Sequence, residues 1–468
     1  MICSITTIQA ADKQLDLMAK SPFASSINNA DSDLHRYVAA EDDSFSYKIV
    51  SEEHHDNADI LIVRLTSQTW QDKPWQHWLY IINPKNASHP DKAVLAIAGG
   101  SNSRDMTTPR KIRPEGHIAK LIKSIGTTVA ILKQVPNQPL MDGLKEDALI
   151  SETFKAYVDG GGQDPTLPLL LPMTKSAVRA MDAVSEICHQ KFNQPKNKFV
   201  VTGASKRGWT TWLTGAVDSR VIGIAPLVID VLNMMPQMKQ QLQSYGRYSD
   251  MIDDYRERGI LTSFNDPVGQ KLWQTIDPFS YRNLLDMPKM IVLGASDPYW
   301  TVDASSLYFP HMLSPKFLHI VPNAGHRLNM SPIPTLVGFV HSVMAELPLP
   351  RFEWDVANEN QLTLTWDIKP LNVMLWTAES ESRDFRQAKW KPTALQSISA
   401  TGCEIDLATP TTGYRAVYAQ AQFNSSNTQP IQLSTQIFVT PNTFPFAVNP
   451  DHTISPNIHQ PSQPVLQQ

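Results

Sequence analysis

The chain is 468 residues long, room for roughly three domains at about 150 residues each. Its 41 Lys plus Arg and 45 Asp plus Glu leave a net charge of −4, without the basic footprint of a nucleic-acid binder or the basic face that holds an anionic membrane. Only 18% of residues are charged, 35 are Pro and three are Cys (Cys3, Cys188, Cys403), which excludes a coiled coil, a disordered regulator, a disulfide framework and a zinc knuckle.

No stretch reaches the ~18 apolar residues of a spanning helix. The start, MICSITTIQAADKQ, has neither a basic opening nor a long apolar core, so no leader is visible. Residues 1–30 are polar and aperiodic and read as an arm. From Ser46, the runs SYKIV, ADILIVRLTSQTW and HWLYIINP are rich in β-branched and aromatic residues, as in antiparallel strands. Trp70, Trp75 and Trp78 within them read as core more readily than as a ligand platform.

Over the next 250 residues or so, short unbroken apolar runs recur: 93–98, 127–132, 198–203, 221–225, 289–294 and 316–321. Such runs fit strands buried on both faces of a parallel sheet. Between them lies a helix predicted over 174–192, with Thr174 as its N-cap and Ala177, Met181, Val184 and Cys188 as one apolar stripe. Alternating strands and helices predict a doubly wound α/β sheet. A helical insertion is expected over 230–285. The α/β body is expected to span 31–348, followed by a small β-sandwich over 349–448 and a Pro/Gln-rich disordered tail over 449–468.

The chemistry concentrates in VVTGASKRGWTTWL (200–213). A buried strand runs through Gly203-Ala204-Ser205 into a helix, the context of a nucleophile elbow, although the second glycine, Gly208, stands one position later than in G-x-S-x-G. A serine nucleophile needs a base and an orienting acid, in the chain order Ser, Asp, His for this architecture. Asp297 follows one buried strand and His326 the next, at the strand ends where open α/β sheets place their sites. Asp230 is the second choice for the acid, and Asp303 also competes. The backbone N–H of Lys206 is a candidate oxyanion donor, and the loop AGGSN offers another from Gly100 or Ser101. No nucleotide or metal motif competes, so neither cofactor nor metal is expected.

The segments SQTW (67–70), WQHWL (75–79), AGGSN (98–102), KEDALISETF (145–154), TGASKRGW (202–209), GASDPYW (294–300) and NAGHRL (323–328) together resemble the PhoPQ-activated pathogenicity-related protein family. The autocrine proliferation repressors of social amoebae look similar. The resemblance covers roughly residues 30–440. It implies an α/β-hydrolase fold followed by a β-domain, and export to the periplasm or medium. Some members are linked to virulence or antimicrobial-peptide resistance. Its Ser-Lys-Arg-Gly-Trp element falls on Ser205 to Trp209, and its acid and base on Asp297 and His326. The elbow also looks like that of glucuronoyl esterases. By that analogy Lys206 or Arg207 would hold an oxyanion or an acidic substrate group, with Arg207 and Trp209 as candidate substrate contacts.

The expectation is therefore a serine hydrolase acting on a small ester or peptide through Ser205, His326 and Asp297. The alternative is a catalytically silent, secreted binding or signalling protein on the same scaffold. The sequence leaves the oligomeric state and the choice between ester and peptide open, and without a visible leader the cytoplasm stays a second candidate location.

Overall fold

The computed structural model describes residues 32–102, 109, 124–357, 360–424, 430–448 and 454–456. The expected arm, residues 1–30, lies outside them. The chain begins with α1 (Asp33–Ala39), capped by the Ser32 hydroxyl, which accepts from the His35 amide. Three antiparallel strands follow: β1 (Ser46–His54), β2 (Ala58–Trp70) and β3 (Lys73–Pro84). Trp70, Trp75 and Trp78 are all buried in core clusters.

The parallel part is built from β4 (Lys92–Ile97), β5 (Thr128–Leu132), β6 (Lys198–Ala204), β7 (Val221–Leu227), β8 (Lys289–Gly294) and β9 (Lys316–Val321). The nine strands lie in the order β1-β2-β3-β5-β4-β6-β7-β8-β9, with β5 through β9 mutually parallel. This is the doubly wound, mostly parallel sheet expected from the unbroken apolar runs. The runs are unbroken because both faces are covered. Ala93, Leu95 and Ile97 enter one core cluster, and Val94 enters another.

Between β5 and β6 lie α2 (Glu146–Asp159) and α3 (Leu170–Phe192). The expected start of α3 needs correction. Thr174 is one turn inside the helix, where its hydroxyl donates to the Leu170 carbonyl at 2.8 Å. No side chain caps the true N-terminus; the Leu169 amide instead donates to the Thr153 hydroxyl of α2 at 3.1 Å. The tertiary partner replaces the local cap. The stripe of Ala177, Met181, Val184 and Cys188 is buried throughout.

α4 (Lys206–Val217) follows β6 directly. Between β7 and β8 the chain makes α5 (Met234–Tyr245), α6 (Asp253–Glu257), α7 (Pro267–Ile276) and several 3-10 turns, within the stretch expected as a helical insertion. α8 (Ile333–Met344) covers the second face of the sheet. Among the described residues, no helix is long and apolar enough to cross a membrane.

The C-terminal strands are β10 (Phe352–Ala357), β11 (Gln361–Trp366), β12 (Asn372–Ser380), β13 (Lys391–Ala394), β14 (Gly402–Asp406), β15 (Tyr414–Phe423), β16 (Ile431–Ser434) and β17 (Phe438–Thr440). They form two antiparallel sheets, β10-β11-β14 and β13-β12-β15-β16 with β17 on β15. Leu362, Leu364 and Trp366 meet Val373, Val417, Ala419 and Phe423 in one core. That core also contains Phe339 and Met344 of α8 and Val200 and Val292 of the main sheet. A last hairpin pairs β18 (Phe446–Val448) with β19 (Ile454–Pro456), so a strand falls inside the stretch expected to be disordered. Backbone pairing, not composition, accounts for it. The Phe446 ring occupies the space over Gly246, at the end of α5.

Candidate active site

Ser205 stands between β6 and α4 with φ 58° and ψ −127°, a positive φ that only a tight, well-supported turn holds for a side-chain-bearing residue. Two glycines make the turn feasible. A Cβ on Gly203 would lie 2.6 Å from the Arg207 carbonyl, and one on Gly208 would lie 2.6 Å from Ile229. The displaced second glycine thus serves close approach of the helix to the loop after β7. The position two after the serine is Arg207, and its guanidinium is accommodated by Gly99. A Cβ there would come within 2.6 Å of it. The Gly-Gly pair after β4 therefore makes room for an arginine at the elbow.

His326 lies in the loop after β9 and Asp297 in the loop after β8. The Ser205 Oγ is 2.8 Å from His326 Nε2, and His326 Nδ1 is 2.9 Å from Asp297 Oδ2. A carboxylate can only accept, so Nδ1 carries the proton and Nε2 is left to accept from the serine. Asp297 is further held by the Tyr299 amide, which donates to Oδ1 at 3.0 Å. The Tyr299 ring packs on His326 with centroids 4.2 Å apart.

The competing acids lie elsewhere. Asp230 is buried and shares a small cavity with Asp297, but its hydrogen bonds do not reach the histidine among the described contacts. Asp303 is engaged by Arg383 Nη2 at 2.6 Å and by Gln240 at 2.8 Å.

The basic pair after the serine is paired internally. Arg207 donates to both oxygens of Glu146 at 2.7 and 2.8 Å and through Nε to the Val135 carbonyl. Arg207, expected as a substrate contact, thus spends three guanidinium donors on protein acceptors. Lys206 Nζ is 2.8 Å from Asp147 and 3.6 Å from Glu146. Burial works against ionisation of Glu146, yet Arg207, Gln138 and Lys206 hold its carboxyl down to about 2. Asp147 also accepts from the Tyr255 hydroxyl at 3.0 Å. Glu146 and Asp147 carry no assigned role in the sequence, where KEDALISETF stands only among the segments of the family resemblance. The signal was there in KEDALISETF, whose charges mirror Lys206-Arg207.

The Lys206 amide is in the first turn of α4, where N–H groups lack helical partners and the dipole favours negative charge. The loop bearing Gly100 and Ser101 approaches the elbow through the Gly99–Arg207 contact. Trp209, one turn into α4, is buried, donates to the Ile276 carbonyl at 2.6 Å and lines a recess beside Ser205 and His326.

A doubly wound sheet with a strained serine at the β6–α4 turn and loops from the next strands converging on it defines an α/β-hydrolase fold. Residues 34–386 match the model of the PhoPQ-activated pathogenicity-related protein family. The chain belongs to that family. It is 33% identical to autocrine proliferation repressor protein A of Dictyostelium discoideum over 453 residues, covering 88% of this chain and 90% of that one. Among solved structures it is similar to an acetyl xylan esterase from Paenibacillus sp. R4, with 12% identity and TM-score 0.46, over 68% of this chain and 95% of the other. A glucuronoyl esterase from Solibacter usitatus is similar at 14% identity and TM-score 0.39, over 66% and 91%.

Proposed function

We propose that the protein is a serine hydrolase that cleaves an ester or peptide bond through an acyl-enzyme. The observation that carries this reading is the continuous hydrogen-bonded line from Ser205 through His326 to Asp297, at 2.8 and 2.9 Å. The Ser205 Oγ attacks the carbonyl carbon while its proton passes to His326 Nε2. Asp297 keeps the imidazole oriented and stabilises the imidazolium that forms. The carbonyl oxygen becomes an oxyanion, held by the Lys206 amide with a second donor from Gly100 or Ser101. Collapse expels the alcohol or amine, which takes the proton from His326. Water then repeats the sequence in reverse and frees the acid. Ser205→Ala is expected to abolish labelling by a fluorophosphonate probe that labels the wild type; equal labelling of both would overturn the assignment.

The family's name ties relatives to PhoPQ-activated pathogenicity. We extend that to this chain as a role outside the cytoplasm in virulence or antimicrobial-peptide resistance. The repressor name of the Dictyostelium relative favours a second reading, a binding or signalling protein on the hydrolase scaffold. A Ser205→Ala protein that retains its full biological effect would favour that reading over catalysis.

A further inference from the structure

The recess beside Ser205 bears on the class of substrate, given the hydrolase reading above. Its walls include Trp209 of α4, Ile229 and Val231 after β7, Met238 of α5, and Leu261 and Trp273 of the insertion. Each of these six is no more than 6% exposed. The free volume is about 40 Å³. A single water needs about 10–15 Å³ of such space, so the recess has room for a group of roughly two to four carbon atoms.

Its charges cancel. Lys206 and Asp147 both line the recess and face each other at 2.8 Å. Behind them Arg207 and Glu146 form the bidentate pair. Among the described residues that line the recess, the one lysine meets the one carboxylate, and the arginine behind it is likewise paired, so these residues offer no unmatched lysine or arginine to an acidic group on the substrate. A carboxylate entering this recess would lose its hydration without gaining a partner. This favours a neutral substrate over the analogy in which Lys206 or Arg207 holds an acidic substrate group.

A recess among buried side chains suits the part of the substrate that stays. In an acyl-enzyme the acyl group remains on Ser205, whereas the leaving group must depart and water must enter. We propose that the recess binds an uncharged, short, apolar acyl group, which makes small neutral acyl esters the substrate class.

The test is a series of p-nitrophenyl esters with one leaving group: acetate, butyrate, octanoate and the hemisuccinate. Acetate and butyrate are expected to show kcat/KM at least tenfold above octanoate and hemisuccinate. Octanoate hydrolysed as well as butyrate, or hemisuccinate as well as acetate, would overturn the proposal. In Trp273→Ala the octanoate-to-acetate ratio should rise tenfold or more, with Met238→Ala as the second variant if the first does not fold. An unchanged ratio in a folded variant counts against the recess as the acyl site. Fluorophosphonate labelling separates the failures. No labelling of Ser205 removes the hydrolase reading itself. Labelling without turnover of the short neutral esters removes only the acyl-group assignment.

Discussion

The carboxyl of Asp230 is buried, and its Oδ1 has no hydrogen-bond donor among the described residues. Burial pushes its pKa up to about 7 from an ordinary 3.8; the Tyr308 hydroxyl pulls it back in part, and Asp297 and Asp303 add to the rise. Between about pH 4 and 7 the folded chain keeps a proton that the unfolded chain releases. Stability from this group therefore falls as pH rises through that window, by on the order of 4 kcal/mol in total. Asp230→Asn removes the titration. Urea denaturation at pH 4 and pH 8 should show the variant gaining on the wild type at the higher pH. An identical pH dependence in both proteins would mean that Asp230 ionises in the fold as it does in water. Asp230 also illustrates what a sequence conceals. Its place after an apolar run makes it a credible orienting acid, yet Asp297, in the loop after the next strand, is the one that meets His326. Only the spacing of the loops decides between them.

At the scale of elements, the loops after β8 and β9 are braced by the C-terminal strands. The Asn323 side chain donates to the Trp390 carbonyl at 3.0 Å and accepts from its amide at 2.8 Å. The Trp390 indole donates to the Ala295 carbonyl at 3.2 Å, two residues before Asp297. Arg383 reaches Asp303 at the end of the same loop. Asn323→Ala removes two of these bonds, a loss of about 1–3 kcal/mol. It is expected to slow fluorophosphonate labelling of Ser205 about tenfold through misplacement of His326, while the far-ultraviolet circular dichroism stays that of a folded chain. Labelling at the wild-type rate would show that the brace does not position the histidine. The strands of the main sheet and the order Ser, Asp, His were legible because buried strands leave unbroken apolar runs and the elbow leaves small residues around a serine. The brace was not. Asn323 and Trp390 are 67 residues apart, and the Asn323 side chain meets the Trp390 backbone, which carries no side-chain signature. The start of α3 was misread for a related reason, since the group that satisfies it comes from Thr153 on another helix.

For the whole molecule, the α/β body and the C-terminal sheets share one core rather than meeting at a thin seam. Phe339 and Met344 of α8 are wholly buried between Val200 of the main sheet and Leu362 and Phe423 of the C-terminal sheets. Gln420 of β15 donates to the Ile320 carbonyl of β9, and the Ile320 amide donates to Ser434 of β16. Removing residues 349–468 would expose that apolar face, at a cost of about 25 cal/mol for each Å² returned to water. A chain ending at Pro348 is expected to lose cooperative melting in calorimetry. A sharp transition near the wild-type temperature would mean that the body folds alone. The brace on Asn323 also sets an order of events during biosynthesis. Ser205, Asp297 and His326 all leave the ribosome before Trp390, so the nucleophile, acid and base are synthesised before the segment that fixes their loops. Until Trp390 has emerged, the nascent chain is expected to react no faster than the Asn323→Ala protein, so full activity belongs to copies whose C-terminal strands are in place.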